Sequence, residues 1–215
     1  MGRAPRILGD EIVYHVILRC NNKEKLFKSN YDFEMFVSIL EHYRKKMNFE
    51  VHAYVLMHTH LHLILTTKEG NYLDQIVHRI CTTFTFHYNR THSRSGHFWN
   101  SRYRSFIISD DHYFLTCLRY LHLNPVKARL VDSPAKWKWS SHHFYISSHQ
   151  VKNIFLTEHP SFLSLGSNVV LRRESYLSLF EHEMIDLEFE TKIFEGKMKP
   201  HSRRSREYIR QFFIT

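Results

Sequence analysis

The sequence predicts an α+β protein: a ferredoxin-like antiparallel sheet with helices packed on it, followed by a C-terminal helical extension. Three observations lead there. Short β-branched and aromatic runs recur at strand length. Longer segments repeat their apolar residues at helical spacing. The order of the two kinds, strand, helix, strand, strand, helix, strand, is that of a split βαβ unit, and a third helix follows it.

Taken in order, "EIVYHVILR" (Glu11 to Arg19) reads as the first strand. Phe33, Phe36, Val37, Leu40 and Tyr43 then mark a helix. In "NFEVHAYVLM", Phe49, Val51, Ala53, Val55 and Met57 alternate with Glu50, His52 and Tyr54, which is a strand pattern placing the first set on one face. "HLHLILTT" is a third strand, joined to the second by a tight turn at His58 and Thr59. Leu73, Ile76, Val77, Ile80, Cys81 and Phe84 form a second helical stripe, with Asn71 the expected N-cap. "RYRSFIIS" (Arg102 to Ser109) is the fourth strand, and Ser109, Asp110 and Asp111 suit the start of a third helix. Beyond Tyr145 the pattern weakens. "VLRRESYLSLFEHEM" reads as a helix and "KMKPHSRRSREYIRQFF" as a basic tail. Whether residues from about 150 onward dock on the sheet or form a separate unit stays open.

The balance of charge points to a polyanionic partner. Lys and Arg exceed Asp and Glu to give a formal net charge of +9 over 215 residues, which favours nucleic acid. No apolar run approaches the ~18–20 residues of a spanning helix, so no membrane role is expected. Acidic residues at positions 10 and 11 interrupt any signal-peptide core. Cys20, Cys81 and Cys117 are widely spaced and odd in number, which suggests buried thiols in a reducing, cytoplasmic compartment.

The chemistry begins at "YVLMHTHLHLIL". On a strand, residues i and i+2 share a face roughly 7 Å apart, so His60 and His62 project together while Leu61, Leu63 and Leu65 face the other way. Such a pair suits one metal ion; two core histidines would give the same pattern. His58 lies at the turn. In the third helix Phe114, Cys117, Leu118 and Leu121 form the expected core stripe, and Tyr120 sits about 110° from its centre. Tyr113 shares that flank. From periodicity alone, either is a packing tyrosine.

Four segments carry a resemblance. "MHTHLHLIL" is similar to the MPNHVHLL stretch of the REP-associated tyrosine transposases, relatives of the IS200/IS605 transposases. "RYLHLNPVKARLV" resembles their RYIHLNPVRAGLV, "WKWSSHHFY" their WSSY, and "GRAPRI" with "YHVILRCNNKEKLF" their opening. These occur in family order over residues 1–145, the expected nuclease domain, and leave 146–215 as the helical, basic extension. His58 and Thr59 replace a Pro and an Asn of the family, and "RCNN" lacks its usual Gly.

The resemblance implies a single-tyrosine HUH endonuclease with its fold. It makes His60-Leu61-His62 the metal-binding triplet, Tyr120 the nucleophile and Asn124 the third metal-binding position. Read locally, Asn124 is as easily the cap of a new helix starting at Pro125. The implied reaction is attack of the phenol on a DNA phosphate, giving a 5′-phosphotyrosine and a 3′-hydroxyl, with Mg²⁺ or Mn²⁺ as the metal. The partner is single-stranded or hairpin DNA. Arg102 and Arg104 lie in a segment that interleaves basic and aromatic residues, and Lys127 and Arg129 lie beside the Tyr helix. All four are candidate DNA contacts. Lys197, Lys199, Arg203, Arg204 and Arg206 form a second basic cluster. The family includes chains that act alone and homodimers that share active sites. Two rivals remain: a zinc hydrolase using the His pair with a third His or carboxylate, and a non-catalytic DNA-binding descendant.

Overall fold

The computed structural model describes residues 8–21, 25–100, 102–147 and 155–180. The basic cluster from Lys197 to Arg206 lies outside them.

Four strands, β1 (Val13–Arg19), β2 (Glu50–Met57), β3 (His60–Thr66) and β4 (Arg104–Ile107), form one sheet in the order β2-β3-β1-β4. All pairings are antiparallel. This is the ferredoxin-like arrangement that the element order predicts, with the His strand in the interior. Helices α1 (Asn30–Lys46) and α2 (Leu73–Thr91) cover one face, and α3 (Asp111–Lys127) covers the other. Tyr14, Val16, Leu18, Leu61, Leu63 and Leu65 pack towards α1 and α2. Ala53, Val55, Met57 and Ile64 pack towards α3. A short 3₁₀ turn (Pro134–Lys136) and helices α4 (His142–Ile146), α5 (Pro160–Leu163) and α6 (Val169–Ser178) follow.

Local chemistry fixes the ends. The Asp110 carboxylate accepts the Tyr113 N–H at 2.8 Å and caps α3. Asp32, fully buried near the start of α1, accepts the Lys28 and Ser29 N–H groups at 2.9 Å, and its other oxygen takes His92 Nε2 at the end of α2 at 2.7 Å. The N-cap of α2 is Tyr72, not Asn71, whose amide is drawn back to the Glu69 carbonyl.

Strand β2 departs from simple alternation. A bulge between Val51 and Ala53 makes His52 the extra residue, so Val51 faces α1 and α2 while Ala53, Val55 and Met57 face α3. A bulge shifts the parity of everything beyond it. The outer edge of β2 is closed by later chain. Leu56 N–H donates to Trp139 C=O, Ser141 N–H to Tyr54 C=O, and Thr157 N–H to Val51 C=O, each at 2.9 Å. Covering an edge in this way removes a row of unpaired backbone groups.

The same later chain buries the back of α3. Every residue from Tyr113 to Pro125 is buried, because Phe162, Tyr176 and Leu179 join the cluster on its far side. Residues 155–180 therefore dock on the sheet-and-helix core. A periodicity argument that grants α3 one buried stripe misses this second face.

Candidate active site

The sheet register assembles a row of polar side chains under α3. His60 pairs with Arg19, and His62 pairs with Ile17, which in turn pairs with Arg104. His15 lies two residues before Ile17 on the same face, and its ring is 5.1 Å from that of His62 between centroids, with planes only 12° apart. His15 Nε2 and His62 Nδ1 are hydrogen-bonded at 2.9 Å. His60 and His62 lie side by side, 5.2 Å between ring centroids, and Thr59 Oγ1 contacts His60 Nδ1 at 3.1 Å.

His62 is completely buried, and its Nε2 has no hydrogen-bond partner. An orphaned buried ring nitrogen costs roughly 1–3 kcal/mol, so it calls for an occupant. Burial, then the neighbouring His15, His60, Arg19 and Lys127, holds the His62 pKa well below the ordinary histidine value. Burial alone takes His15 down to about 3. Both rings are neutral at pH 7. In the tautomer in which His62 Nδ1–H donates to His15 Nε2, Nε2 keeps its lone pair, the state in which imidazole ligates a metal. The charged neighbours acting on His62 are all basic, which suits an anion beside it.

Tyr120 comes to this row from α3. Its ring centroid is 5.8 Å from that of His62 and 6.4 Å from that of His15, edge-on to both. Lys127, two turns further on, places Nζ 4.1 Å from the centre of the Tyr120 ring. Asn124 shares the helix face with both, at spacings of four and three residues. Here the sequence expectation of a helix break fails, since α3 continues through Pro125 to Lys127. Pro125 has no N–H for the Leu121 carbonyl. The Asn124 amide nitrogen bridges instead to the carbonyls of Tyr120 at 2.9 Å and Leu121 at 3.3 Å, which repairs the gap that a mid-helix proline leaves. With its Nδ2 engaged there, Oδ1 is the atom that Asn124 can offer to a cation.

The other candidates separate. Tyr113 is as buried as Tyr120 but lies two turns nearer the start of α3, and desolvation raises its pKa far above that of a free phenol. His58 packs against Phe33 and Trp137, at centroid distances of 5.9 and 5.7 Å, towards α1. Arg104 shares the face of the His pair, whereas Arg102 lines a groove beside α2. Arg129 is exposed just past the end of α3. Of the aromatics between Phe98 and Tyr103, Phe98 is core, and Trp99 is tied by its Nε1–H to the Cys81 carbonyl at 3.2 Å. Among the described residues no group of three His, Cys, Asp or Glu side chains converges, so the third ligand that a zinc hydrolase needs is not among them.

Sequence reasoning passed over His15 and Arg19. Both lie in the first strand at the parity of Ile17, but only the β1–β3 register reveals that they flank the His pair. It also passed over the two polar residues on the back of α3. Arg119 Nε donates to the Leu179 carbonyl at the end of α6. His122 Nε2 meets Ser141 Oγ at 2.7 Å, and its Nδ1 meets Tyr176 Oη at 2.8 Å. The "RYLHLN" run thus points Tyr120 and Asn124 forward and anchors Arg119 and His122 behind.

A family profile described as "Transposase IS200 like" matches residues 10–124, more than half of the chain. The chain belongs to the IS200-like transposase family. That is a family of enzymes, and the matched span runs from just before β1 to Asn124, so it contains the whole His and Tyr row. A Haemophilus influenzae protein assigned as a REP-associated tyrosine transposase is 32% identical over 114 residues, covering 48% of this chain and 62% of that protein. The alignment thus spans less than two thirds of the relative. Among solved structures, a REP-associated tyrosine transposase bound to a REP hairpin superposes with a TM-score of 0.61 at 20% identity, covering 74% of this chain and 93% of that one. At that identity the match establishes the fold. Both agree with the resemblance carried by the motifs. Among the described residues of this IS200-like chain no helix is long and apolar enough to cross a membrane.

Proposed function

We propose that this protein breaks and rejoins a single strand of DNA through a covalent tyrosine intermediate, on hairpin-containing DNA of the REP kind. The observation that carries the reading is the 5.8 Å approach of Tyr120 to His62 within one chain, beside an orphaned His62 Nε2. In the step, Tyr120 Oη attacks the phosphorus of a backbone phosphodiester. The new P–O bond gives a 5′-phosphotyrosine, the P–O3′ bond breaks, and the departing oxygen takes a proton to become a 3′-hydroxyl. Attack by a 3′-hydroxyl reverses the step, so the phosphodiester energy is conserved.

The residues divide the work. Lys127 sets its ammonium over the Tyr120 ring, where it holds the ring and puts a positive charge beside the attacking group. Arg19 and Arg104, on the face of the His pair, neutralise phosphate charge as Lys and Arg do in DNA complexes. His60 Nε2, His62 Nε2 and Asn124 Oδ1 would hold Mg²⁺ or Mn²⁺, which when bound withdraws charge from the phosphate and orients it for in-line attack. His15 fixes the His62 ring. Lys127 and Arg129 continue the DNA-facing surface at the end of α3. Since Tyr120 and His62 belong to the same chain, a monomer contains a complete site. The relatives named for REP sequences and the +9 charge support hairpin DNA as the partner.

The test is incubation with a labelled hairpin library carrying single-stranded flanks and Mg²⁺, resolved under denaturing conditions. A protein–DNA adduct is expected, lost in EDTA and in His60→Ala or His62→Ala, with DNA binding largely kept. Full cleavage in EDTA would contradict the assignment.

A further inference from the structure

An open groove of about 810 Å³ runs between α2 and the segment from Gly96 to Arg102. We infer that it holds unpaired nucleotides of the DNA strand that flanks the reacting phosphate, with Phe86 as the stacking platform; this rests on the strand-transfer reading above.

Three features converge. Phe86 projects from the groove wall with 61% of its surface exposed, the most exposed of the large hydrophobic residues described. Single exposed hydrophobes are common, but this one borders a groove whose polar lining is Asn21, His78, His97 and Arg102, with two threonines and no carboxylate. None of the described acidic residues lies in this lining. An aromatic face beside basic and neutral donors is the combination that takes unpaired nucleotides, bases on the ring and phosphates on the cations.

The groove lies on the α2 face of the sheet, opposite the catalytic row, and meets it at the end of β1. Its wall extends the β1–β4 ladder. Asn21 N–H donates to the Phe98 carbonyl and Asn100 N–H to the Arg19 carbonyl, both at 2.9 Å, and Cys20 bridges to Trp99. Arg19 is the residue paired with His60. A strand that rounds the His60 end of the sheet from the α3 face therefore comes to this groove. Nucleotides engage both the aromatic and the polar parts of this lining.

The experiment is fluorescence anisotropy in EDTA, so that no cleavage intervenes. The probes are a fluorescein-labelled DNA hairpin with unpaired thymidine tails and the same hairpin blunt-ended. Phe86→Ala is expected to weaken the tailed probe by roughly 5- to 150-fold, the range for one stacked base, and to leave the blunt probe unchanged. Phe86→Trp is expected to restore the tailed affinity. Exposure of Phe86 makes both variants compatible with folding, which circular dichroism checks. A wild type that binds tailed and blunt probes alike, or a Phe86→Ala variant with no tail-specific loss, would overturn the inference. So would a change of oligomeric state in Phe86→Ala by sedimentation velocity with DNA affinity intact, which would make the patch a protein interface. If the tail-specific loss is seen while the wild type forms no covalent adduct with Mg²⁺, the groove stands and the strand-transfer reading fails.

Discussion

His15 is the most informative residue to perturb, because its role follows from one contact. Its Nε2 lies 2.9 Å from His62 Nδ1 in a fully buried setting. If His62 ligates through Nε2, its Nδ1 carries the proton and donates it to His15. In His15→Phe that donor loses its acceptor while the volume is nearly kept. A buried donor left unpaired costs about 1–3 kcal/mol; expressed through the metal, this is a roughly 10- to 100-fold loss of affinity, the usual scale for residues that orient a ligand. His15→Gln can still present an acceptor at a similar reach and is expected to recover most of the loss. The assay is adduct formation against Mn²⁺ concentration. For His15→Phe the midpoint is expected to rise 10- to 100-fold while the rate at saturating Mn²⁺ stays near that of the wild type. Superimposable metal curves for the two proteins, or failure of Gln to recover anything that Phe loses, would refute the orienting role.

Other perturbations test the frame that holds the site. Tyr176 Oη joins His122 Nδ1 and His142 Nδ1, at 2.8 and 2.7 Å; Tyr176→Phe leaves both rings short of a partner and should cost about 2–4 kcal/mol, read as a lower urea midpoint. Arg129 has φ of 54° where the chain leaves α3, with Leu130 N–H bonded to the Pro125 carbonyl and Arg129 N–H to that of Val126. That geometry favours glycine, so Arg129→Gly is expected to stabilise by about 1 kcal/mol while weakening DNA binding and its salt dependence. Burial lowers His52 and His142 to about 4. Between that value and the unfolded histidine value near 6.5, the unfolded chain binds more protons. Stability is therefore full above about pH 6.5 and falls as the pH drops towards 4, by up to about 1.4 kcal/mol per pH unit for each ring. Urea midpoints at pH 7, 6 and 5 measure this, and a flat profile would refute it.

Much of this architecture is legible in the sequence where one period governs one face. The alternation of His60 and His62 with Leu61, Leu63 and Leu65 gives the strand, its buried position and the shared face of the imidazoles. Asp110 before an apolar helix gives the start of α3. What escapes depends on partners distant in sequence. The bulge at His52 reverses the parity of β2, and no local pattern announces it. Proline at 125 reads as a helix boundary, yet the side chain of Asn124 takes over the carbonyls that proline leaves and the helix continues. Tyr120 looks like a flank residue because α3 is granted one buried face, whereas Phe162, Tyr176 and Leu179 supply a second. His15 and Arg19 fall in the "YHV" and "RCNN" stretches of the family-like opening, but only strand register places them beside the His pair.

The proposed chemistry requires that Tyr120, and no other residue, takes the phosphate. Peptide mapping of the covalent adduct after nuclease trimming tests it most directly. The 5′-phosphate is expected on the peptide containing Tyr120, with Tyr120→Phe forming no adduct and Tyr113→Phe forming a normal one; phosphate on Tyr113, or an undiminished adduct in Tyr120→Phe, would contradict it.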